Sequence, residues 1–381
     1  MNRWEHFEGD FIMYTFLKEH GQVYIFGAQS RAKTLTGYLR LLYPDISIEA
    51  YLVDDLAENE SAVDKLPVYG LDASLPLRTE IPVFIATKGI YHKAIELKLR
   101  RLGFKNIIPV TPEVDNQFRN AYVEAAFAKE NRTFQKIDRL PTTALHKQGA
   151  EKPTVCIYMA KSVYDKPLQS PYSLPDYEKP IHVGAGLTSQ SPEGCALRDC
   201  EGDNISDKNR QYCELTALYW IWKHAPEKVV GLSHYRRHFI LPEDWAELMN
   251  DYDVDVILPV PTYVAPNIAD NYKERHDASD WEYLMRYLER HLPEDFELAK
   301  TVFSGNLYSP CNMFIAKKEI SDELCDWLFP ILDAVVEHGG VKTDTYLNRY
   351  PGFISERLLT LFYYKNRERL HIVYADKTFL Q

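Results

Sequence analysis

Short apolar runs alternate with amphipathic stretches over the first 110 residues, and this alternation limits the possible fold more than any other feature of the sequence. Three runs rich in β-branched and aromatic residues are typical of strands, at 22–27, 46–53 and 82–87. Apolar residues at helical spacing follow the first run, and a second helical stretch spans 91–102. Strands that alternate with helices in this way predict βαβ units and a parallel, doubly wound sheet. We therefore predict an α/β protein that begins with a Rossmann-like domain over residues 1–112.

A dinucleotide-binding fingerprint is incomplete in this first domain. That fingerprint requires the pattern G-x-G-x-x-G after the first strand and an acidic residue after the second. Gly27 fits the first position, whereas Gln29 and Ala32 occupy the other two glycine positions. Asp54 follows the second strand, where an acid that binds ribose would lie. We interpret the domain as a Rossmann-like scaffold with a degenerate or repurposed crevice, in which Gly27 and Asp54 are the candidate ligand contacts.

The pattern changes after residue 112. Residues 113–137 are typical of a helix of mixed polarity, and Pro- and Gly-containing segments then interrupt the chain as far as residue 152. We predict a helical linker over 113–152 and a second α/β domain over 153–381. Residues 164–203 of that domain are rich in Pro, Ser, Gly and Asp, which predicts a long functional or disordered loop.

Composition excludes several classes of function. The 381 residues carry 55 acidic and 44 basic side chains, a formal net charge of −11, so we expect no binding to nucleic acid driven by bulk charge. The six cysteines form no CxxC pair, which favours reduced thiols over disulfides or a zinc site. No apolar h-region and no run of 18 apolar residues is present, so we expect a cytoplasmic protein.

One segment places two arginines directly after a predicted strand. Residues 228–239 read KVVGLSHYRRHF, and 229–232 are typical of a buried strand. Four polar residues follow it: His234, Tyr235, Arg236 and Arg237. Ligands bind at the carboxyl ends of strands in α/β sheets, and arginine suits bidentate capture of phosphate or carboxylate. This segment predicts an anion site, best suited to a diphosphate; a solvated basic turn is the alternative.

A predicted helix over 210–224 precedes this strand and opens at Asp207-Lys208-Asn209. Its N-terminus, with free N–H groups and the positive end of the helix dipole, is a second feature that favours anions. An ordinary capped helix is the alternative interpretation. Asp253 and Asp255 formally match the D-x-D motif of metal-dependent sugar transferases. They begin a strand instead of ending one, so we interpret this match as accidental.

The ordered series DNISDKN, YCELTALYWIWKH, GLSHYRRHF, PCNMFIAKKE and GFISERLL is similar to that of a family of bacterial proteins. The family was first catalogued as a domain of unknown function and later grouped with glycosyltransferases of capsule, exopolysaccharide and O-antigen assembly. The resemblance covers roughly 154–375, and the N-terminal 110 residues lie outside it. It implies a GT-A-like fold that transfers a sugar from a nucleotide diphosphate, in some members UDP-galactofuranose or UDP-galactose. The N-terminal domain itself resembles small Rossmann-like modules found beside sugar-modifying and polysaccharide-assembly enzymes.

The resemblance also implies roles for individual residues. The HYRR segment takes the place of metal-binding acids, so His234, Arg236 and Arg237 would neutralise the departing UDP without a metal. Glu356 would take the proton of the acceptor hydroxyl, with Arg357 as its charge partner; a first-turn helix acid is the alternative for Glu356. The implied donor contacts are Asp203, Lys208, Asn209, Tyr212, Tyr235, Asn312 and Arg357, and helix capping is the alternative for those at the helix start. His276 is a further candidate that is as well explained by a structural role.

These observations predict a cytoplasmic glycosyltransferase. In one form of this hypothesis the protein associates peripherally with the inner face of the membrane. Its substrates would be a UDP-sugar donor and a saccharide or lipid-linked saccharide acceptor of a surface polysaccharide. No metal ligand is assigned, and Mn or Mg carried with the nucleotide sugar stays open. Two alternatives remain. One is an NAD-linked sugar-modifying enzyme, against which Gln29 and Ala32 argue, and the other is a non-catalytic protein that binds sugar nucleotides within an assembly complex.

Overall fold

The computed structural model describes residues 10–57, 59–71, 77–141, 153–169 and 171–380. The chain divides into two compact units, Met1–Thr133 and Phe134–Gln381. The predicted domain borders at residues 112 and 152 lie on either side of this division.

The first unit is built on a six-stranded sheet. Its elements, in chain order, are α1 (Asp10–His20), β1 (Gln22–Phe26), α2 (Ser30–Leu42), β2 (Ser47–Val53), β3 (Ala62–Val63), β4 (Leu66–Gly70), β5 (Val83–Ile85), α3 (Gly89–Arg101), β6 (Ile107–Pro109) and α4 (Pro112–Lys129). The strand order is β3-β4-β2-β1-β5-β6, and every pair is parallel except β3 with β4. β1 and β5 are buried along almost their whole length, as expected for central strands of a covered parallel sheet.

The second unit is built on an eight-stranded sheet. Its elements, in chain order, are β7 (Val155–Lys161), β8 (Glu178–His182), β9 (Leu197–Arg198), α5 (Asn209–Tyr212), α6 (Leu215–His224), β10 (Val229–His234), β11 (Phe239–Ile240), α7 (Trp245–Asp251), β12 (Val256–Pro259), β13 (Thr262–Tyr263), α8 (Ile268–Arg275), α9 (Ala278–His291), α10 (Pro293–Phe303), β14 (Leu307–Tyr308), β15 (Phe314–Lys317), α11 (Lys318–Gly339), α12 (Tyr350–Lys365) and β16 (Ile372–Lys377). The strand order is β11-β16-β12-β15-β10-β7-β8-β9. The predicted α/β class, with sheets rich in parallel strands, is confirmed.

One strand of this sheet runs against its neighbours. β15 is antiparallel to both β10 and β12, whereas β10, β7 and β8 are parallel to one another. The start of β15 therefore lies at the same edge of the sheet as the carboxyl ends of β10 and β7. This arrangement brings residues 311–313, which precede β15, close to the turn that follows β10.

Two sequence-based assignments in this unit are wrong. The predicted helix over 210–224 is two helices, α5 and α6, because Cys213 adopts φ 50° and ψ −125° and breaks the helical path. The predicted loop 164–203 contains two short strands, β8 and β9, which extend the sheet beyond β7. β8 could not be predicted from the sequence because Pro180 lies in its middle, and proline argues against a strand away from the edge of a sheet.

Helices cover the second sheet with apolar faces. α11, the longest at 22 residues, buries a stripe that includes Leu324, Leu328 and Leu332. Within the described ranges, no helix combines the length and the apolar character needed to cross a membrane.

Candidate functional site

A cavity of about 880 Å³ lies at the carboxyl ends of β7, β8 and β10. Its walls come from the loop after β7, the turn after β8, the junction of α5 and α6, the turn after β10, and the segment 341–349. Ligands of α/β sheets bind at this edge, outside the carboxyl ends of the strands. The cavity is therefore the candidate site of the second unit.

The turn after β10 carries the HYRR segment into this cavity. Two backbone bonds close it: the His234 N–H donates to the Arg237 carbonyl at 3.1 Å, and the Arg237 N–H donates to the His234 carbonyl at 2.9 Å. The turn separates the two arginines. His234, Tyr235 and Arg237 line the cavity, whereas Arg236 does not and instead directs an Nη2 donor at the Lys166 carbonyl, 3.4 Å away.

A buried polar cluster supports the same turn from beneath. The carboxylate of Glu178, in β8, accepts a hydrogen bond from Ser233 and lies 2.9 Å from Nδ1 of His238. Nε2 of His238 lies 3.2 Å from the Tyr235 carbonyl. Glu178 and His238 are almost fully buried. Because a buried polar group is costly unless it is satisfied, this cluster fixes the position of the turn relative to β8.

Three residues around the cavity have a backbone conformation that L-amino acids seldom adopt. Cys213, Cys311 and Asn312 have φ angles of 50°, 71° and 51°. Such conformations cost about 1–3 kcal/mol each, and they concentrate at functional sites. The strained pair 311–312 also makes contacts there, since the Cys311 carbonyl accepts a bond from Nε2 of His234 at 2.6 Å. Burial lowers the pKa of His234, opposed by the charge of Glu214.

Two carboxylates of this region differ in their surroundings. Glu214 lines the cavity and accepts a bond from Nδ2 of Asn312 at 2.8 Å. Glu356, in the second turn of α12, is not part of the lining. It accepts the Cys311 N–H at 2.6 Å and pairs with Nη1 of Arg357 at 2.7 Å. Burial raises the pKa of Glu356, while Arg357 opposes the shift.

Arginine side chains give the cavity its positive charge. Arg210, Arg237 and Arg349 line it, and none of the three forms an ion pair with any residue that the structure describes. Nε of Arg349 donates to Sγ of Cys213 at 3.0 Å, which places the guanidinium beside the break between α5 and α6. Lys342 also lines the cavity, but Asp277 and Asp280 already bind its ammonium group. The three arginines are thus available to an anion in a way that Lys342 is not.

The predicted donor contacts separate into two groups. Asn209 and Tyr235 line the cavity. Three others lie outside it: Asp203, Lys208 and Tyr212. The Tyr212 hydroxyl donates to Asp333 at 2.7 Å, and Nζ of Lys208 lies 3.7 Å from the same carboxylate. The carboxylate of Asp203 accepts the Tyr219 hydroxyl at 3.2 Å, beside the last turns of α6.

The remaining candidates are buried or stacked. Asn312 is 1% exposed and joins Glu214 to the Gly352 carbonyl. Arg357 is 3% exposed, with its guanidinium 4.6 Å from the centre of the Tyr308 ring. His276 stacks on Phe353 at 4.1 Å, outside the cavity lining.

Sequence reasoning missed Glu214, Arg349 and the residues that hold the turn after β8. Asp199 is fully buried and accepts the N–H groups of Gly184 and Ala185 at 2.7 and 3.0 Å, as well as the Thr216 hydroxyl at 2.6 Å. The glycines after β8 were the only sequence signal for this turn. Nothing in the sequence marked Glu214, because it fell inside a predicted continuous helix.

The described residues include no group of three or more His, Cys, Asp and Glu side chains placed to hold a metal ion. Asp253 and Asp255 both bind Nζ of Lys317, at 2.7 and 2.6 Å. Lys317 pairs with Val229, so these acids lie at the opposite edge of the sheet from His234.

The N-terminal crevice residues have structural partners of their own. Gly27 follows β1 with φ 109°, and a side chain there would meet the Ala86 carbonyl at 3.0 Å. This close approach of the loops after β1 and β5 explains the glycine without a ligand. Asp54 forms an ion pair with Lys98 of α3, and both side chains are about half exposed. Ligand binding at Gly27 and Asp54 stays a prediction.

Comparison with known proteins identifies the family of the chain. Residues 163–367, more than half of the chain, match the family model described as Domain of unknown function (DUF4422). The chain belongs to this family. The matched segment begins in the loop after β7 and includes the turn after β10, Glu214 and Glu356. The N-terminal unit lies outside it.

A solved structure adds a second comparison. The apo structure of the bifunctional glycosyltransferase WbbM is similar with a TM-score of 0.52 and 28% sequence identity. The similarity covers 60% of this chain and 45% of that one, so the chain spans less than half the length of its structural relative. None of the curated proteins compared matches the chain. Together the two matches support the predicted relation to a glycosyltransferase-like family, without bearing on the HYRR segment itself or on the N-terminal domain.

Proposed function

We propose that this chain is a glycosyltransferase that binds a UDP-sugar in the cavity at the carboxyl ends of β7, β8 and β10. The observation that carries the proposal is the set of three arginines, Arg210, Arg237 and Arg349, that line this cavity without an ion-pair partner among the described residues. Guanidinium groups bind phosphate through two parallel hydrogen bonds. Similarity to WbbM, described as a bifunctional glycosyltransferase, supports transfer of a sugar as the reaction.

The diphosphate of the donor would lie beside Arg237 and Arg349. When the bond to the sugar breaks, negative charge develops on the departing UDP, and fixed cations stabilise it most when they are already in place. The turn after β10 carries Arg237 and is itself held in place, by its backbone hydrogen bonds and by the buried Glu178–His238 pair. In this proposal Arg349 is the second arginine at the diphosphate, a role that the sequence alone assigned to Arg236.

The acceptor would be a saccharide or lipid-linked saccharide of a surface polysaccharide, reached by a protein associated peripherally with the membrane. Galactose or galactofuranose is the sugar that the family resemblance suggests. The proposed reaction assigns stabilisation of the leaving group's negative charge to arginine.

Binding and turnover of the full chain test this proposal. UDP should raise the melting temperature and GDP, CMP and NAD should do so less, and UDP release from UDP-galactose or UDP-galactofuranose should persist in EDTA. Stabilisation by NAD alone would favour the alternative of an NAD-linked enzyme. Binding of UDP without release from any UDP-sugar would favour the non-catalytic alternative. Loss of activity in EDTA with rescue by Mn would contradict the assignment of charge to the arginines.

A further inference from the structure

We propose that Glu214 is the carboxylate that takes the proton of the acceptor hydroxyl in this transfer. The inference rests on the proposed function and names a catalytic residue for it. No motif in the sequence pointed to Glu214. Three observations carry the assignment: where the side chain lies, what holds it, and how the competing groups are engaged.

Glu214 reaches the cavity because the helix breaks in front of it. Cys213, with φ 50° and ψ −125°, separates α5 from α6 and leaves Glu214 as the residue that precedes α6. Serine, threonine, aspartate and asparagine at this position commonly cap a helix with their side chains. Glu214 makes no such bond to the end of α6, and its side chain lines the cavity instead. The break is therefore not explained by capping.

A second segment with positive φ holds the Glu214 carboxylate from the other side. Asn312, which is 1% exposed, donates from Nδ2 to Glu214 at 2.8 Å and to the Gly352 carbonyl at 3.1 Å. Cys213 precedes Glu214 and Cys311 precedes Asn312, so two cysteines about 100 positions apart adopt an unfavourable positive φ next to the residues that meet at this carboxylate. Strain of this kind persists only where the surrounding structure enforces it, and it is typical of residues that must be held in place for chemistry.

Two other carboxylates are held by backbone N–H groups. Asp165 lines the cavity and accepts a backbone N–H at 2.7 Å. Glu356 is bound by the Cys311 N–H and by Arg357, and it does not line the cavity. Nε2 of His234 donates to the Cys311 carbonyl, so the lone pair of its neutral imidazole lies on Nδ1 and His234 is the competing base. We assign Glu356 as a positioning residue: it fixes the peptide of Cys311, and through it the imidazole of His234.

The step itself is a single displacement. The acceptor hydroxyl gives its proton to the Glu214 carboxylate while its oxygen forms the new bond to the anomeric carbon of the sugar. The bond between the anomeric carbon and the diphosphate oxygen breaks, and its electron pair leaves with UDP beside Arg237. Removal of a general base of this kind typically costs 10²–10⁴-fold in rate.

Glu214→Gln, compared with Glu356→Gln, tests the assignment. The assay is UDP release from UDP-galactose and UDP-galactofuranose with water as the acceptor, which needs the same base and no knowledge of the natural acceptor. We expect Glu214→Gln to lower kcat by about 100-fold or more with UDP affinity unchanged within about threefold. We expect Glu356→Gln to lose less activity than Glu214→Gln. Glu337→Gln, on the exposed face of α11, should keep the activity of the wild type.

Each other outcome counts against the inference. Activity of Glu214→Gln within about threefold of wild type would overturn it, as would a larger loss in Glu356→Gln than in Glu214→Gln. A loss of UDP affinity parallel to the loss of kcat in Glu214→Gln would assign Glu214 to donor binding instead. If the wild type binds UDP but releases none from either donor, the proposed function fails, and this assignment fails with it.

Discussion

Arg236 and Arg237 are adjacent in the sequence and face different surroundings. The guanidinium of Arg237 lies 5.3 Å from the centre of the Phe379 ring and borders the cavity. That of Arg236 lies 5.1 Å from the Tyr235 ring and points toward the Lys166 carbonyl. Only one of the two is therefore positioned for direct contact with a ligand in the cavity.

Alanine substitutions should separate these two arginines. Because a hydrogen bond to a charged group contributes about 1.5–3 kcal/mol, Arg237→Ala should weaken UDP binding by roughly 10- to 100-fold. Arg236→Ala should change the affinity by less than about threefold, and calorimetric titration of both variants with UDP measures the difference. Arg237→Lys is the matched control: it keeps the charge but loses the bidentate geometry, so it should recover only part of the affinity. Equal losses in Arg236→Ala and Arg237→Ala would support a clamp made of both.

The sequence indicates some site residues and hides others for reasons that are physical. His234, Tyr235 and Arg237 could be found because they follow directly after a run that only a buried strand explains. Glu214 could not, because the helix break before it is made by Cys213, a residue with no preference for positive φ. Asn312, which binds Glu214, and Arg349 come from distant parts of the chain, and no local pattern brings them to the cavity.

At the scale of elements, buried hydrogen bonds fix the turn after β8, which forms one wall of the cavity. Asp199 binds the N–H groups of Gly184 and Ala185, and Gly184 has φ 70°. The side chain of Asn209 packs directly against Gly184, and its Nδ2 donates to the Cys213 carbonyl at 2.7 Å. The turn after β8 is thus linked through one asparagine to the break between α5 and α6.

Gly184→Ala should disturb this wall more than an ordinary substitution at positive φ. A Cβ at residue 184 would lie 2.7 Å from Oδ1 of Asn209, so the asparagine must move. Gly194→Ala is the matched control, because Gly194 has φ 78° and no atom within 4 Å of the added Cβ. We expect both to lose about 1 kcal/mol of stability from backbone strain, and Gly184→Ala to lose about 1–3 kcal/mol more through overpacking. Urea unfolding measures the free energy of unfolding of both variants. Equal losses would show that the Asn209 side chain moves aside without a cost in stability.

The elements that the sequence predicted well are those with long apolar patterns. β1, β2 and β5 of the first unit and β10 of the second were found because buried parallel strands are rich in apolar residues. β3 and β9 were missed because they have two residues each, and β4 and β8 because each contains a proline. β15 begins only at Phe314, since Cys311 and Asn312 before it adopt positive φ and cannot continue a strand.

At the scale of the whole molecule, burial of histidine makes stability depend on pH. Burial lowers the pKa of His182, His234 and His276, all in the second unit. For His276 the shift is the largest, from 6.5 to about 3, with burial as the main cause and the charges of Arg357 and Arg275 adding to it. At pH values where the unfolded chain binds these protons and the folded molecule does not, the free energy of unfolding is lower.

The expected effect has a definite sign and pH window. Between about pH 6.5 and pH 3, His276 binds a proton in the unfolded chain and not in the folded one. The free energy of unfolding should therefore fall as the pH falls through this window, by at most ~1.4 kcal/mol per pH unit for one histidine. Glutamine at this position cannot take up the proton, so His276→Gln should lose less stability on acidification than the wild type does.

Urea unfolding at pH 8.5, 7.5, 6.5, 5.5 and 4.5, followed by tryptophan fluorescence, measures this difference. Five of the six tryptophans lie in the second unit, so the signal reports on the unit that contains His276. Above pH 7.5 the imidazole is neutral in both states, and the difference in stability between wild type and His276→Gln should stay constant there. Below pH 6.5 that difference should shift in favour of the variant with each step, because only the wild type loses stability through His276. Parallel curves over the whole range would show that the imidazole of His276 takes up its proton equally well in the folded molecule, and that the packing of His276 against Phe353 does not exclude the charge.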